Sequence, residues 1–297
     1  MRGYQLKEYV KSPEGLQLST LPDPSPKPHE YLIAIHAAAT NFFDLLQIRG
    51  KYQTQPPFPW VAGAEFSGVV LRAPTSLPNG QTPKFKEGDK VFGATQGAYA
   101  TKIKAVEDVL RPVPDGWSFF DAAGMITAMK HVQAGHTLTR ITGLFVTVPT
   151  SYAALVNRAK IKAGDWVLVH AAAGGVGLAA VQIAKAFGAT VIATAGTKKK
   201  LEVAKSFGAD FCVDYSNKNW DVEVKKLTPK GKGVDIVYDP VGLLNQSLKC
   251  TAWNGRLLVI GFAGGDIEKV QANRILLKQI SIVGVGFVIL LTCCIQY

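Results

Sequence analysis

A short run of small residues carries the clearest chemical signal in the sequence. The segment VLVHAAAGGVGLAAVQ, which begins at Val167, is typical of an apolar strand, a glycine turn and the start of a helix. Ala171, Gly174 and Gly177 occupy the three small-residue positions of a dinucleotide fingerprint. In such a loop the first residue permits the tight turn, the second lets the backbone approach a pyrophosphate, and the third lets the helix pack on the strand. The spacing predicts a phosphate-binding loop; the alternative is a tight turn without a ligand.

The next strand indicates which dinucleotide would be bound. NAD enzymes place an acidic residue near the end of this strand to hold the ribose 2′-hydroxyl. Here the strand runs into Ala193–Thr197, which contains no acid, and Lys198, Lys199 and Lys200 follow. Lysine attracts a 2′-phosphate, whereas a carboxylate would repel it. The pattern favours NADP(H), although the three lysines could also simply solvate the beginning of a helix.

The second half of the chain alternates short apolar strands with helical segments. This alternation predicts a doubly wound parallel sheet with helices on both faces, as in an α/β Rossmann domain. The expected strands are Asp165–His170, Thr190–Thr194, Phe211–Asp214, Val234–Tyr238, Arg256–Ile260 and Ile280–Val285, and the expected helices are Gly174–Phe187, Lys198–Phe207, Trp220–Leu227 and Leu243–Ala252.

The first half, up to about residue 112, is β-rich instead. Short apolar runs at 31–37, 61–70, 85–93 and 98–103 are separated by turns rich in glycine and proline. Short strands at this spacing favour a partly open barrel.

Composition limits the other functional classes. The formal charge is +11, but the lysines are scattered, and no long basic tract alternates with aromatic residues, so we expect no nucleic-acid partner. The four cysteines form no C-x-x-C pair, which fits a reducing compartment. No secretory signal is visible, and the uncharged stretch from Ser281 to Ile295 is shorter than a membrane span. We therefore expect a cytoplasmic protein without a membrane partner.

Several further motifs accompany the glycine loop in a fixed order. They are Asn41–Asp44, Arg49–Tyr52, Gly63–Gly68, Glu87–Val91, Gly97–Ala100, His170–Gly177 and Asp239–Gly242. Together they resemble the zinc-free quinone oxidoreductase branch of the medium-chain dehydrogenase/reductase superfamily. The resemblance covers residues 1 to about 124 and 143 to about 286. It implies a GroES-like catalytic domain over residues 1–120, a Rossmann domain over 145–286, and NADPH as the cofactor.

The same resemblance assigns roles to individual residues. It implies that Asn41, Asp44, Tyr52 and Thr150 lie at the catalytic, nicotinamide end. The expected cofactor-binding residues are Gly174, Gly175, Val176 and Gly177 at the pyrophosphate, Lys200 and Tyr215 at the 2′-phosphate, and Phe262 facing the nicotinamide. Each has a simpler structural alternative, since Tyr52 and Phe262 could be core aromatics and Asp44 a helix cap.

The pattern departs from that of the zinc-dependent relatives. Those relatives carry a cysteine where Ala39 or Thr40 stands and a histidine where Ala64 stands. A catalytic zinc ion needs three protein ligands, so we expect no metal. His131 and His136 are five residues apart, and we do not expect them to form a metal site.

Two segments fall outside the resemblance. Residues 125–143 interrupt the family pattern, which leads us to expect an inserted segment and connecting helix over 121–144. At the other end, the family continues for several tens of residues beyond the point matching Gly286. We therefore expect the closing segment of the catalytic domain to be absent and residues 287–297 to be an atypical apolar tail.

These observations lead to one principal functional hypothesis and two alternatives. The principal hypothesis is NADPH-dependent reduction of a quinone or an α,β-unsaturated carbonyl compound by hydride transfer, without zinc, in a homodimer. The first alternative is a protein that binds NADPH without catalysis. The second is a truncated or mis-spliced product with impaired activity.

Overall fold

The computed structural model describes residues 1–52, 55–123 and 147–286. These residues divide into two compact units, an N-terminal unit over 1–123 and a C-terminal unit over 147–286. The expected insertion, with His131 and His136, and the apolar tail lie outside the described residues.

The N-terminal unit consists mainly of antiparallel strands. Its strands are β1 (Arg2–Leu6), β2 (Leu18–Thr20), β3 (Glu30–Ala39), β4 (Trp60–Val61), β5 (Glu65–Arg72), β6 (Lys90–Ala94), β7 (Lys102–Val106) and β8 (Leu110–Pro112), and its helices are α1 (Phe42–Ile48) and α2 (Phe119–Ala123). Five strands form a sheet in the order β7-β3-β5-β6-β8, and three more form a sheet in the order β2-β1-β4. A bridge joins Gly3 of β1 to Ala100, in the segment that leads into β7.

The core of this unit follows from side chains that alternate along each strand. Tyr31 and Ile33 of β3 are buried with Phe66 of β5 and Val91 of β6 in one cluster. Successive residues of a strand point to opposite faces, so every second apolar residue reaches this cluster. The larger sheet is thereby fixed in register, and it holds the end of β3 beside the beginning of α1.

The C-terminal unit alternates strands and helices as expected. Its strands are β9 (Trp166–Val169), β10 (Thr190–Ala195), β11 (Phe211–Asp214), β12 (Val234–Asp239), β13 (Thr251–Val259) and β14 (Ser281–Gly284), and its helices are α3 (Thr147–Tyr152), α4 (Gly175–Ala186), α5 (Lys198–Ser206), α6 (Trp220–Leu227), α7 (Leu244–Cys250) and α8 (Ala272–Lys278). Helix α3 continues as a π-helical turn over Ala153–Arg158.

The six strands form one parallel sheet in the order β11-β10-β9-β12-β13-β14. The order reverses between β9 and β12, which is the arrangement of a doubly wound sheet. Val167 and Val169 of β9 enter one core cluster and Leu168 enters the other, so both faces are covered. The predicted α/β fold is therefore confirmed.

The prediction of one continuous strand over residues 61–70 was wrong. The run at 61–70 is divided into β4 and β5, with Ala62–Ala64 between them. Gly63 in this gap has φ of +83°, a left-handed conformation that interrupts an extended strand.

The sequence predicts no membrane-spanning segment. Within residues 1–52, 55–123 and 147–286, no helix is both long enough and apolar enough to cross a bilayer.

Candidate functional site

The glycine loop follows β9 and leads directly into α4. Ala171 adopts φ of +45°, which turns the chain sharply. A Cβ atom placed on Gly177 would lie 2.7 Å from Cα of Ala172, so only glycine lets α4 pack this close to the end of β9. Gly174 is the N-cap of α4, and its amide donates to the carbonyl oxygen of Ala171 at 2.8 Å. The amides of the first turn of α4 remain available, because the first four N–H groups of a helix have no intrahelical partner.

This loop lies at the carboxyl edge of the sheet, next to the reversal in strand order. Beside β9, the next strand across the reversal is β12, and the amide of His170 donates to the carbonyl oxygen of Tyr238. Dinucleotides bind in the crevice at such a reversal, with the pyrophosphate at the helix N-terminus. The arrangement suits a phosphate-bearing ligand.

The end of β10 and the end of β11 come together beside the glycine loop. Ala195 pairs in register with Asp214, so Gly196 and Tyr215 are adjacent. A Cβ atom on Gly196 would lie 3.3 Å from the Tyr215 ring. Burial raises the pKa of Tyr215, and Asp214 and Asp239 raise it further, so its hydroxyl stays protonated as a hydrogen-bond donor. This surface therefore carries an aromatic ring, and β10 contributes no acid to it.

Helix α5 begins immediately after Gly196. Thr197 is its N-cap, and the Thr197 hydroxyl oxygen accepts the amide of Lys200 at 3.4 Å. Lys198, Lys199 and Lys200 form the exposed first turn. The helix dipole is positive at the N-terminus, so three cations are unfavourable there. The lysine side chains and the helix dipole together make this turn positive.

Two loops after β12 and β13 are joined to each other. Oδ1 of Asp239 accepts the amides of Val241 and Gly242, and Oδ2 accepts that of Leu243. The second loop is attached through backbone bonds from Ala263 to Pro240 and from Gly264 to Val241. Phe262 immediately precedes these attachments and is half-buried beside Gly242. The loop that carries Phe262 is therefore held in place by a buried carboxylate.

His170 lies below this surface and is fully buried. Its Nδ1 is 2.7 Å from the hydroxyl of Thr194, and its Nε2 is 2.9 Å from the hydroxyl of Ser247. The ring also packs edge-on against Trp220. Burial lowers its pKa to about 4, although the charge of Asp239 acts in the opposite direction. His170 is therefore neutral near pH 7 and ties β9, β10 and α7 together.

Thr150 is buried in α3, one residue before Ser151. The hydroxyl of Ser151 donates to the carbonyl oxygen of Val176 at 3.0 Å and lies 2.8 Å from the hydroxyl of Tyr238. Because Val176 belongs to the first turn of α4, these contacts place Thr150 close to the glycine loop.

A second polar cluster lies in the N-terminal unit, at the beginning of α1. Asn41 is the N-cap, and its amide donates to Oδ2 of Asp44 at 2.7 Å, which completes a capping box. The Asn41 side chain in turn donates to Oε2 of Glu65 at 2.8 Å. Asp44 therefore caps α1, and its carboxyl group also makes a contact outside this helix.

Tyr99 is the second donor to Asp44. Its hydroxyl donates to Oδ2 of Asp44 at 2.7 Å, and the carbonyl oxygen of Ala39 is 3.3 Å away. The Tyr99 ring lies across Gly63, where a Cβ atom would be 2.6 Å from Cε1 of the ring. Gly63 therefore provides both the turn before β5 and the space for Tyr99.

The electrostatics of this cluster are dominated by burial. Asp44 is 3% exposed, and its Oδ1 has no hydrogen-bond partner among residues 1–52, 55–123 and 147–286. Burial raises the pKa of Asp44 to about 6, even though Tyr99 and the Asn41 amide favour the charged form. Burial and the nearby Asp44 also raise the pKa of Tyr52, whose ring packs against Phe43.

A cavity of about 1060 Å³ borders the cluster within the N-terminal unit. Its polar lining residues are Arg2, His36, Thr40, Asn41, Asp44, Tyr99 and Thr101. Most of the remaining wall is aliphatic, with contributions from Leu16, Leu18, Leu45, Ile48, Ala37 and Ala98. Such a wall suits a flat apolar molecule that carries one or two polar oxygens.

Two family models match the chain. The model described as alcohol dehydrogenase GroES-like domain matches residues 27–139, and the model described as zinc-binding dehydrogenase matches residues 175–289. Mouse quinone oxidoreductase-like protein 2 is 38% identical over 261 residues, which are 86% of this chain and 67% of that protein. Human quinone oxidoreductase is 31% identical over 292 residues, which cover 96% of this chain and 80% of that protein. The chain belongs to the zinc-free quinone oxidoreductase branch of the medium-chain dehydrogenase/reductase superfamily.

Solved structures of this superfamily have the same fold. The Escherichia coli quinone oxidoreductase complexed with NADPH matches with a TM-score of 0.82 at 28% identity, covering 100% of this chain and 86% of that one. The resemblance inferred from the motifs is therefore confirmed, and so is the GroES-like character of the N-terminal unit.

Within this family frame, the site residues named from the sequence fall into two groups. Those expected at the cofactor are all in the C-terminal unit, around the carboxyl edge of its sheet. Asn41, Asp44 and Tyr52 are in the N-terminal unit, whereas Thr150 belongs to the C-terminal one.

Sequence reasoning missed three residues that hold members of each group in place through hydrogen bonds. Tyr99 and Glu65 hold Asp44 and Asn41, and His170 holds the strands below the cofactor loop. The motifs contained all three, but each was treated as part of a pattern and not as a hydrogen-bonding group. A polar residue inside an otherwise small or apolar motif was the available signal.

Proposed function

We propose that this protein is an NADPH-dependent reductase of quinones or α,β-unsaturated carbonyl compounds. When bound, NADPH supplies a hydride to the acceptor. The observation that carries this proposal is the pairing of a glycine loop at the strand-order reversal with a cationic, acid-free surface at the end of β10. The name and NADPH complex of the Escherichia coli relative support the same reaction.

The C-terminal unit supplies the groups that would hold the cofactor. The amides of Gly175, Val176 and Gly177 would bind the pyrophosphate, with Gly174 giving the backbone access. Lys200 and Tyr215 would hold the 2′-phosphate through a charged and a neutral hydrogen bond. Phe262, fixed by the loop pair that Asp239 organises, would cover one face of the nicotinamide.

Asn41, Asp44, Tyr52 and Thr150 would line the reacting end. Asn41 and Tyr52 carry donors that can orient a carbonyl oxygen. Thr150 sits next to the Ser151 contact that fixes the first turn of α4. These residues would orient the acceptor and exclude water, while the hydride chemistry belongs to the cofactor.

The reaction would proceed without zinc. Zinc-dependent relatives have a cysteine ligand where Ala39 or Thr40 stands and a histidine where Ala64 stands, and neither a cysteine nor a histidine is present at these positions. A catalytic zinc site requires three protein ligands. We therefore propose that chelators leave turnover unchanged.

Cofactor preference tests the proposal directly. We expect at least about tenfold tighter binding of NADPH than of NADH, because a charged hydrogen bond contributes about 1.5–3 kcal/mol. Lys200→Ala should remove most of the preference by weakening NADPH binding alone. Fluorescence titration measures both constants, and Lys226→Ala, an exposed lysine on α6, is the control. Equal affinity for the two cofactors in the unaltered protein would contradict the assignment.

A binder without catalysis is the alternative to exclude. NADPH oxidation measured against a panel of quinones and enones separates the two functions. An enzyme shows oxidation that depends on the acceptor, whereas a pure binder shows cofactor affinity alone.

We also propose that the protein forms a homodimer through β14. This strand is the last in the sheet order, and its Ile282 and Val283 are apolar. The neighbouring Leu276 and Leu277 of α8 are 76% and 77% exposed. Within the described residues β14 pairs with β13 alone, and an apolar strand edge of this kind is a template for pairing with a second copy. Light scattering should give twice the chain mass, and Val283→Lys should reduce it to the monomer; a monomeric unaltered protein would contradict this proposal.

A further inference from the structure

The two oxygens of Asp44 have different surroundings. Oδ2 receives the Asn41 amide and the Tyr99 hydroxyl, each at 2.7 Å. Oδ1 is buried and has no partner within residues 1–52, 55–123 and 147–286. A carboxylate would place charge on this unsolvated oxygen, which is costly, whereas in the neutral acid Oδ1 is only a carbonyl oxygen. The surroundings therefore make the neutral acid accessible.

The Tyr99 bond serves both protonation states of Asp44. When Asp44 is charged, the Tyr99 hydroxyl donates to Oδ2. When Asp44 is neutral with its proton on Oδ2, the carboxyl donates to the Tyr99 oxygen, and the hydroxyl hydrogen is free to point elsewhere. The direction of this one 2.7 Å bond thus couples the charge of Asp44 to the orientation of the Tyr99 hydroxyl.

Both residues line the cavity, and Tyr99 is the more exposed of the two. It is partly exposed, while Asp44 behind it is almost fully buried. Burial, together with Asp44 and Glu65, raises the pKa of Tyr99, so its hydroxyl does not ionise by itself. Tyr99 can lose its proton only if Asp44 replaces it in the same step.

The remaining polar neighbours do not provide an equivalent source. Glu65 lies on β5 and holds the Asn41 side chain. Tyr52 follows α1, and burial and Asp44 raise its pKa. His36 of β3 and Arg2 of β1 also line the cavity, but within the described residues neither is hydrogen-bonded to Asp44 or Tyr99, and His36 stacks on Phe119.

We propose that Tyr99 relays a proton from Asp44 to the oxygen of the reduced acceptor. This rests on the proposed function. Hydride addition brings two electrons to the quinone, and one of its oxygens becomes negatively charged. The Tyr99 O–H bond breaks as the acceptor O–H bond forms, and the Asp44 O–H bond breaks as the Tyr99 O–H bond forms again. The carboxylate left on Asp44 then takes a proton from water, so the cycle consumes one solvent proton and no further electrons.

The test uses two tyrosines that each donate to a carboxylate. Tyr31 in the same unit donates to Glu107 at 2.6 Å, away from the cavity. Tyr99→Phe should lower kcat with a quinone at least tenfold, because positioned acid catalysis contributes about 100-fold or more. It should also abolish the decline of kcat as pH rises through 6. Tyr31→Phe should keep both kcat and its pH profile, and NADPH affinity should be unchanged in both variants.

A titration gives a readout that does not need turnover. In protein labelled with ¹³C at aspartate carboxyls, Asp44→Asn identifies the Asp44 signal. We expect Asp44 to titrate well above about 3.9, the usual value, and to move upward in Tyr99→Phe, because the Tyr99 hydroxyl stabilises the carboxylate. Titration near the usual value, or an unchanged pH profile and kcat in Tyr99→Phe, would overturn the relay. If the unaltered protein oxidised no NADPH with any acceptor, the proposed function would fail instead.

Discussion

The two units satisfy their buried polar groups differently. In the C-terminal unit, His170 and Asp239 are both fully buried, and each uses all of its polar side-chain atoms: the ring nitrogens meet Thr194 and Ser247, and the carboxylate receives three backbone amides. In the N-terminal unit, Asp44 keeps one oxygen unpartnered among the described residues. We call the first polar network closed, because every polar side-chain atom of His170 and Asp239 has a partner. We call the second open, because one oxygen of Asp44 has none among the described residues.

The difference corresponds to what each unit would do. A cofactor site needs fixed main-chain donors, and complete hydrogen bonding keeps them in place. A group that exchanges a proton needs an environment in which both protonation states are accessible. Buried side-chain atoms without a partner in the described residues are mostly in the N-terminal unit: Asp44 Oδ1, Gln47 Oε1, Gln55 Oε1 and Trp60 Nε1, against Arg256 Nε in the other unit. Asp44 and Gln47 share α1, beside the cavity.

The largest expected effect comes from the glycine loop. Gly177→Ala would place Cβ against the backbone of Ala171 and Ala172, which cannot move without displacing α4 from β9. We expect a loss of about 3 kcal/mol in unfolding free energy, which is the upper end of the usual cost of overpacking, because the neighbours here are rigid backbone. Urea unfolding measures it.

Gly174→Ala is the matched change in the same loop. Its Cβ would lie 3.2 Å from the carbonyl oxygen of Ala171, a contact that a small shift relieves. This variant should stay folded with about 1 kcal/mol lost and bind NADPH more weakly. Equal stability losses in the two variants would show that the close packing of α4 is not what Gly177 provides.

This contrast also explains what could be predicted from the sequence. The glycine loop, the alternation of strands and helices and the absent acid after β10 depend on residues close together in the chain, so local patterns were sufficient. Asp44 and Tyr99 are 55 residues apart, and Asn41 and Glu65 are 24 apart. Their hydrogen bonds arise because β3 and β5 are neighbours and Gly63 leaves room for a ring, which no spacing rule contains.

The next effect is a pH dependence in the C-terminal unit. The pKa of His170 is about 4 in the folded protein, against about 6.5 in an unfolded chain. Between these values the unfolded chain binds more protons, so stability falls as pH falls from 6.5 to 4. His170→Gln should make the protein less stable at pH 7 and reduce this dependence by about 3 kcal/mol between pH 7 and 4. Hydrogen exchange of β9 peptides gives the local readout; a variant with the unaltered slope would show that folding does not lower the pKa of His170.

The smallest effect has the opposite sign and belongs to the N-terminal unit. The pKa of Asp44 is about 6 when folded and about 3.9 when unfolded, so here the folded state binds more protons in between. Its contribution to stability is complete below pH 3.9 and is lost as pH rises through 6. Asp44→Asn removes this loss, and its amide oxygen can still accept from Asn41 and Tyr99. Relative to the unaltered protein, the variant should therefore gain about 2 kcal/mol between pH 4 and pH 7, measured by hydrogen exchange of α1 peptides.

Glu107→Gln is the control for that measurement, because it changes the other carboxyl group that a tyrosine contacts. Burial opposes ionisation at Glu107, but hydrogen bonds from Tyr31 and the Lys84 amide outweigh it and keep the pKa of Glu107 below its usual value. Its contribution to stability is thus present at neutral pH and is lost on acidification. Glu107→Gln should lose stability relative to the unaltered protein as pH rises from 4 to 7, while Asp44→Asn gains it. Slopes of the same sign for the two variants would mean that Asp44 is an ordinary paired carboxylate, and the contrast between an open and a closed polar network would no longer hold.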